Sequence, residues 1–148
     1  MIRGEISNQY EGRIVFVWEG LLAHRIEGTD ALEARYVRWK RWRRAFSCWE
    51  EDRALRHAVS DAFWRSGMNV DVLITHPAPF AELVTEYLEA TNFPYHRVYN
   101  YSLEAFDREL AFLPEVVGVW HKEVNRPFLF GGKGLLWDYP GTLRSYLG

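Results

Sequence analysis

Arg13-Ile14-Val15-Phe16-Val17-Trp18-Glu19-Gly20-Leu21-Leu22 is the stretch around which the rest of the chain is read. Five apolar residues run unbroken from Ile14 to Trp18, three of them β-branched, and stop at an acid and a glycine. A short apolar run bounded by turn residues predicts a strand covered on both faces, as central parallel strands are. Ligands of open parallel sheets collect outside the carboxyl ends of the strands. Glu19 and Gly20 stand at such an end.

Outward from this strand the pattern alternates. Thr29-Asp30 predicts a helix N-cap. The residues Leu32, Tyr36, Trp39, Trp42, Phe46 and Trp49 then recur at helical steps, with Arg35, Arg38, Lys40, Arg41, Arg43 and Arg44 on the other side. Ser47 and Glu50 have capping-box spacing and predict a break with a fresh start. Leu55, Ala58, Val59, Ala62 and Phe63 form the next stripe, stopped by Ser66-Gly67. Asn69 to Thr75 reads as a second buried strand, ending in the rigid turn Thr75-His76-Pro77-Ala78-Pro79. Phe80, Leu83, Val84, Tyr87, Leu88 and Thr91 mark an amphipathic helix.

A strand from Tyr95 to Tyr99 follows, then a helix capped by Ser102 with Leu103, Phe106, Leu110 and Leu113 inward. Val116 to Trp120 is a fourth buried strand. Phe128-Leu129-Phe130, Gly131-Gly132-Lys133-Gly134 and Leu135-Leu136-Trp137 predict strand, glycine turn and strand. Residues 2–11 read as a polar lead-in. This order predicts an α/β domain spanning 1–148, a three-layer sandwich with a mostly parallel, Rossmann-like sheet. A small helical insertion, about 29–66, follows the first strand.

Composition narrows the function classes. A chain of 148 residues with 48% hydrophobic and 26% charged residues is ordinary for one globular domain. The formal charge of −2 gives no global reason to expect nucleic acid or an acidic membrane. A single cysteine, Cys48, cannot form an internal disulfide and fits a reducing cytosol. The N-terminal residues lack a signal-peptide pattern, and no apolar run approaches the ~20 residues that span a bilayer. The expectation is a cytoplasmic protein without membrane contact.

The frame Val17-Trp18-Glu19-Gly20-Leu21-Leu22 resembles motif I of the haloacid dehalogenase (HAD) superfamily, a strand ending in Asp-x-Asp-Gly-[Thr/Val]-[Leu/Val]. The resemblance runs from Arg13 to about Trp120 and implies a central first strand between the second and fourth. It also puts Val17 at the family's nucleophilic aspartate, Glu19 at its second, acid/base aspartate and Thr75 at its phosphate-binding hydroxyl. The family's phosphate-binding lysine has no counterpart between Thr75 and His121, where only arginines such as Arg97 and Arg108 stand. After Trp120, His121 and Lys122 occupy the place of the distal acids that complete the family's Mg²⁺ site, with Glu123 the nearest carboxylate.

An isopropyl group can neither attack phosphorus nor bind a metal. The resemblance therefore implies a catalytically degenerate member with no cofactor, working by binding. Its Trp-Glu-Gly strand and Phe-Gly-Gly-Lys-Gly ending are similar to those of small HAD-like proteins of actinobacterial bacteriophages.

Two site readings follow from the residues. Glu19, Gly20, Thr75, His76 and His121 are the candidate ligand-binding residues at the carboxyl edge of the sheet. The enzymatic alternative, a divergent phosphohydrolase or metal-dependent hydrolase, would use Glu19, Thr75, His76 and His121. Two histidines and a carboxylate are a recognised zinc set, and His24 is near in sequence. Without tight spacing, however, histidines on a polar rim are the better expectation, and no metal is assigned. The glycine turn around Lys133 lacks phosphate-loop spacing.

For a macromolecular partner the candidates are Arg35, Arg38, Trp39, Arg41, Trp42 and Arg44. Basic and aromatic residues mixed in this way suit nucleic acid or a protein surface. The plainest reading is an amphipathic helix with Trp inside and Arg outside, its charge offset by the nearby Glu50, Glu51 and Asp52; a protein partner ranks second and nucleic acid third.

Overall fold

The computed structural model describes residues 13–67, 69–120 and 128–129. In chain order the elements are β1 (Arg13–Val17), β2 (Ala23–Arg25), α1 (Asp30–Arg38), α2 (Trp42–Ser47), β3 (Trp49–Glu51) and α3 (Arg53–Ser66). There follow β4 (Asn69–Ile74), α4 (Ala78–Ala90), β5 (Arg97–Asn100), α5 (Leu103–Glu109) with a 3₁₀ turn at Leu110–Phe112, β6 (Val116–Trp120) and β7 (Phe128–Leu129). The main sheet has the order β5-β4-β1-β6-β7. Strands β5, β4, β1 and β6 are parallel, and β7 is antiparallel to β6. The expected central place of the first strand, between the second and fourth, is found.

The unbroken apolar run of β1 has a direct cause. Ile14, Phe16 and Trp18 enter one buried cluster with Val70, Val72 and Ile74 and with Val59, Ala62, Phe80, Val84 and Leu88 of α3 and α4. Val15 and Val17 enter a second cluster with Leu73, Val119, Phe106 and Leu110. Successive side chains of a strand point to opposite faces, so a strand apolar at every position needs cover on both. Burial of each such side chain stabilises the fold by about 1.5–3 kcal/mol relative to exposure. Asp71 interrupts the pattern but is fully buried and satisfied: the Arg13 guanidinium donates to both of its oxygens, and the Tyr99 hydroxyl donates at 2.9 Å.

The segment between β1 and β4 departs from expectation. One amphipathic helix through Trp49 does not form. Lys40 adopts φ 57° and the chain turns between α1 and α2. Trp39, placed on the inner face by its spacing, is 59% exposed, whereas Glu33 is the buried residue of α1. Trp49 lies in β3, which pairs antiparallel with β2. The inserted segment therefore carries a two-stranded ribbon besides its helices.

The caps differ too. The Thr29 hydroxyl donates to the Ile26 carbonyl at 2.6 Å instead of capping α1. Ser47 Oγ donates back to the Arg44 carbonyl, so no capping box forms with Glu50. The cap of α3 is Asp52, which accepts from the Leu55 N–H at 3.0 Å.

Downstream, Gly67 ends α3 in a left-handed conformation, and Ser102 caps α5 by accepting from the Ala105 N–H, both as expected. The third sheet strand begins at Arg97 and not at Tyr95, because the Tyr95 N–H is turned back to the Phe93 carbonyl. Among the described residues no helix is long and apolar enough to cross a membrane. The lead-in, His121, Lys122, Glu123, the glycine turn, the strand expected at Leu135 to Trp137 and the C-terminal tail lie outside the described residues.

Candidate functional site

Past Val17 the chain makes a tight reversal. The Ala23 N–H donates to the Trp18 carbonyl, and the Gly20 N–H to the Ala23 carbonyl. Gly20 has φ 85°, a conformation that costs glycine nothing and other residues more. This turn places the Glu19 carboxylate over the end of the neighbouring strand β4. There it accepts the backbone N–H of Thr75 at 2.9 Å and 3.0 Å and the N–H of His76 at 2.8 Å. Its Oε2 also lies 2.7 Å from Nδ1 of His76. From the other side, Asn100 donates to the carbonyls of Ile74 and His76, pinning the loop.

His76 joins two parts of the chain. Its Nε2 meets Oε2 of Glu33 at 3.2 Å, and Oε1 of Glu33 accepts from Nε of Arg25 at 3.0 Å. The Arg25 guanidinium in turn covers the Trp49 ring at 4.9 Å. The imidazole stacks on Phe80, with ring centres 4.3 Å apart, and meets Trp49 edge-on. The line Arg25–Glu33–His76–Glu19 thus runs from the inserted ribbon through α1 to the ends of β4 and β1. The Glu33 side chain is 1% exposed and that of Glu19 9%.

Both neighbours of the imidazole are carboxylates, and an ionised carboxylate can only accept. Two N–H donations from His76 therefore need the imidazolium. Burial opposes that charge, but the hydrogen bond and charge of Glu19, joined by those of Glu33, outweigh it and raise the pKa of His76 above its ordinary 6.5.

A cavity of about 520 Å³ opens beside this line, with Val17, Glu19, Gly20, Thr75 and His76 on the sheet side. His24, Arg25 and Trp49 line it from the inserted ribbon, with Glu27, Gly28 and Asp30 from the turn before and the start of α1. The Trp49 indole N–H is buried without a hydrogen-bond partner among the described residues. Four of the expected ligand-binding residues, Glu19, Gly20, Thr75 and His76, thus line one cavity. His121, the fifth, lies outside the described residues.

Thr75 meets Glu19 through its backbone N–H. His24 pairs with Asp52 at 3.2 Å and does not join His76. Among the described residues no group of three or more His, Cys, Asp or Glu is arranged to hold a metal ion. Of the positions that the HAD resemblance assigns to Mg²⁺, Val17 has no donor atom and is 1% exposed, and the Glu19 carboxylate already accepts the Thr75 and His76 N–H groups.

Glu33, Arg25, Trp49 and Asn100 were not found from the sequence. Glu33 follows an N-cap position, where an exposed acid favoured by the helix dipole is the normal reading. Its partner Arg25 lies in β2, a different element, so no spacing within one helix or strand pairs them.

Of the expected partner-binding residues, Arg35, Arg38, Trp39, Arg41 and Arg44 are exposed, and Trp42 is half-buried against the larger core cluster. None of these residues lines the cavity. Comparison of the chain with family models, with curated proteins and with solved structures found no match.

Proposed function

We propose that this protein is a degenerate member of the HAD-like class that has lost phosphoryl transfer and acts by binding, as a small regulatory or accessory protein. The resemblance of its motifs to those of small phage proteins makes a host-directed role in an actinobacterial bacteriophage the natural setting. A central β1 between β4 and β6, with apolar clusters on both sheet faces, supports the finer reading of a three-layer HAD-type sandwich.

The observation that carries the functional reading is the seat of Glu19. Backbone N–H groups between a strand end and a following helix form a ready anion cradle. Here that cradle, the N–H groups of Thr75 and His76, already holds an internal carboxylate. A phosphoryl group would have to displace Glu19 and bring its own charge close to it. With Val17 at the nucleophile position, nothing gained there leads to chemistry.

The enzymatic alternative needs a side chain free to move a proton. Both ring nitrogens of His76 are engaged by carboxylates.

Incubation with p-nitrophenyl phosphate and Mg²⁺, Mn²⁺ or Zn²⁺ tests this reading. The expected result is no turnover above that of the metal alone, for the wild type and for Glu19→Ala. Turnover by the wild type that disappears in Glu19→Ala would return the site to the enzymes.

A further inference from the structure

The segment from Arg35 to Arg44 carries six cations and no acid, in a chain whose formal charge is −2. All six, Arg35, Arg38, Lys40, Arg41, Arg43 and Arg44, are exposed. None forms an ion pair with a described residue.

The acids that could have balanced them are used elsewhere or left apart. Glu33 is buried against Arg25 and His76. Glu51 pairs with Arg56, and Asp52 with His24 while capping α3. Glu50 is exposed in β3, where it stands opposite His24. Helix α4, against which α2 packs, presents Glu82 and Glu86, yet neither lies within ion-pair distance of the six.

Within this field stands Trp39. It closes α1 just before the left-handed Lys40, and the resulting turn leaves the indole 59% exposed. Arg44 covers the Tyr36 ring nearby, with its guanidinium 5.9 Å from the ring centre.

We propose that this face binds a single-stranded nucleic acid, with the arginines on the phosphates and an unpaired base stacked on Trp39. The cores of protein interfaces are depleted of charged residues, whereas nucleic-acid interfaces are much more positively charged. Here one exposed indole lies in a ten-residue segment with six exposed cations and no acid, the composition of a strand-binding surface. Guanidinium forks match phosphate oxygens in pairs, and five of the six cations are arginine. Stacking on Trp39 needs a base outside a duplex, which selects single strands. The proposal names the partner for the binding role above but rests on a different surface from the cavity. The phosphatase assay and the binding assay can therefore fail separately.

The test is fluorescence anisotropy of labelled oligo(dT) titrated with the full chain at a series of salt concentrations. Binding should weaken steeply and log-linearly with salt as counterions are released from phosphates. Trp39→Ala should weaken binding by roughly tenfold with the salt slope unchanged, and Trp39→Phe should recover part of it. The triple reversal R38E, R41E and R44E should abolish binding while the circular dichroism melt stays near that of wild type, since exposed changes cost little.

Three outcomes would overturn the proposal. One is no binding of oligo(dT) at low salt. Another is binding that neither Trp39→Ala nor the triple reversal alters. The third is equal competition by polyglutamate with no effect of Trp39→Ala, which would assign the face to an acidic protein.

Discussion

Replacing His76 by alanine lowers the stability of the fold by about 3–5 kcal/mol, the usual result of removing one partner from a buried charged group. Glu19, still bonded to the two backbone N–H groups, and Glu33, still bonded to Arg25, are left facing each other across the vacated space without the cation between them. For a chain of this length the thermal midpoint should fall by roughly 10 °C.

The pH dependence of stability changes with it. The pKa of His76 is raised in the folded state, so its stabilisation is complete below its ordinary value of 6.5 and is lost as the pH rises through the folded value. Wild-type melts should therefore shift downward as the pH rises above 6.5, and His76→Ala should lack that component. A wild-type midpoint independent of pH above 6.5, or a variant as stable as wild type, would show that the imidazolium bridge does not hold the inserted segment to the sheet.

Val17→Asp is expected to cost roughly 2–4 kcal/mol and to restore no phosphatase activity. Val17 is 1% exposed and packs among Leu73, Phe106 and Val119. A carboxylate there loses apolar contact, lies one residue from Trp18 and two from Glu19, and has no identified cation to meet it. The new acid would be driven toward its neutral form, which is a poor nucleophile. Denaturant melts of the variant measure the cost. A midpoint equal to that of wild type would mean that the end of β1 is wetter than its burial indicates, and would reopen the position to chemistry.

The sheet could be read from the sequence because its signals are local. Apolar runs of strand length at Ile14 and Val116, one at Val70 broken only by Asp71, and proline and glycine stops define strands whatever their neighbours do. Asp71 is tolerated in such a run through Arg13 and Tyr99, which neither strand pattern nor spacing connects to it.

The segment between β1 and β4 departs from its sequence pattern for the opposite reason. Trp39, Trp42, Phe46 and Trp49 keep helical spacing, but large aromatics satisfy that spacing without having to face inward. Trp49 found a place in a ribbon with Arg25, and Trp39 was left outside by the turn at Lys40. Glu33 took the buried place because two partners, Arg25 and His76, reach it from distant parts of the chain. The carboxyl-edge residues Glu19, Gly20, Thr75 and His76 were legible from the strand ends alone. Their mutual bonding was not, since a carboxylate satisfied by backbone N–H groups leaves no mark in the sequence.

The central claim is that Glu19 occupies the anion cradle of the sheet edge and closes it to phosphoryl groups. The most direct measurement follows the amide resonances of Thr75 and His76 by NMR as inorganic phosphate is added with Mg²⁺. Both N–H groups donate to Glu19, so their resonances should stay in place through the titration. A saturable shift of these two amides, with Glu19 released from them, would show that the cradle is an open phosphate site and contradict the account.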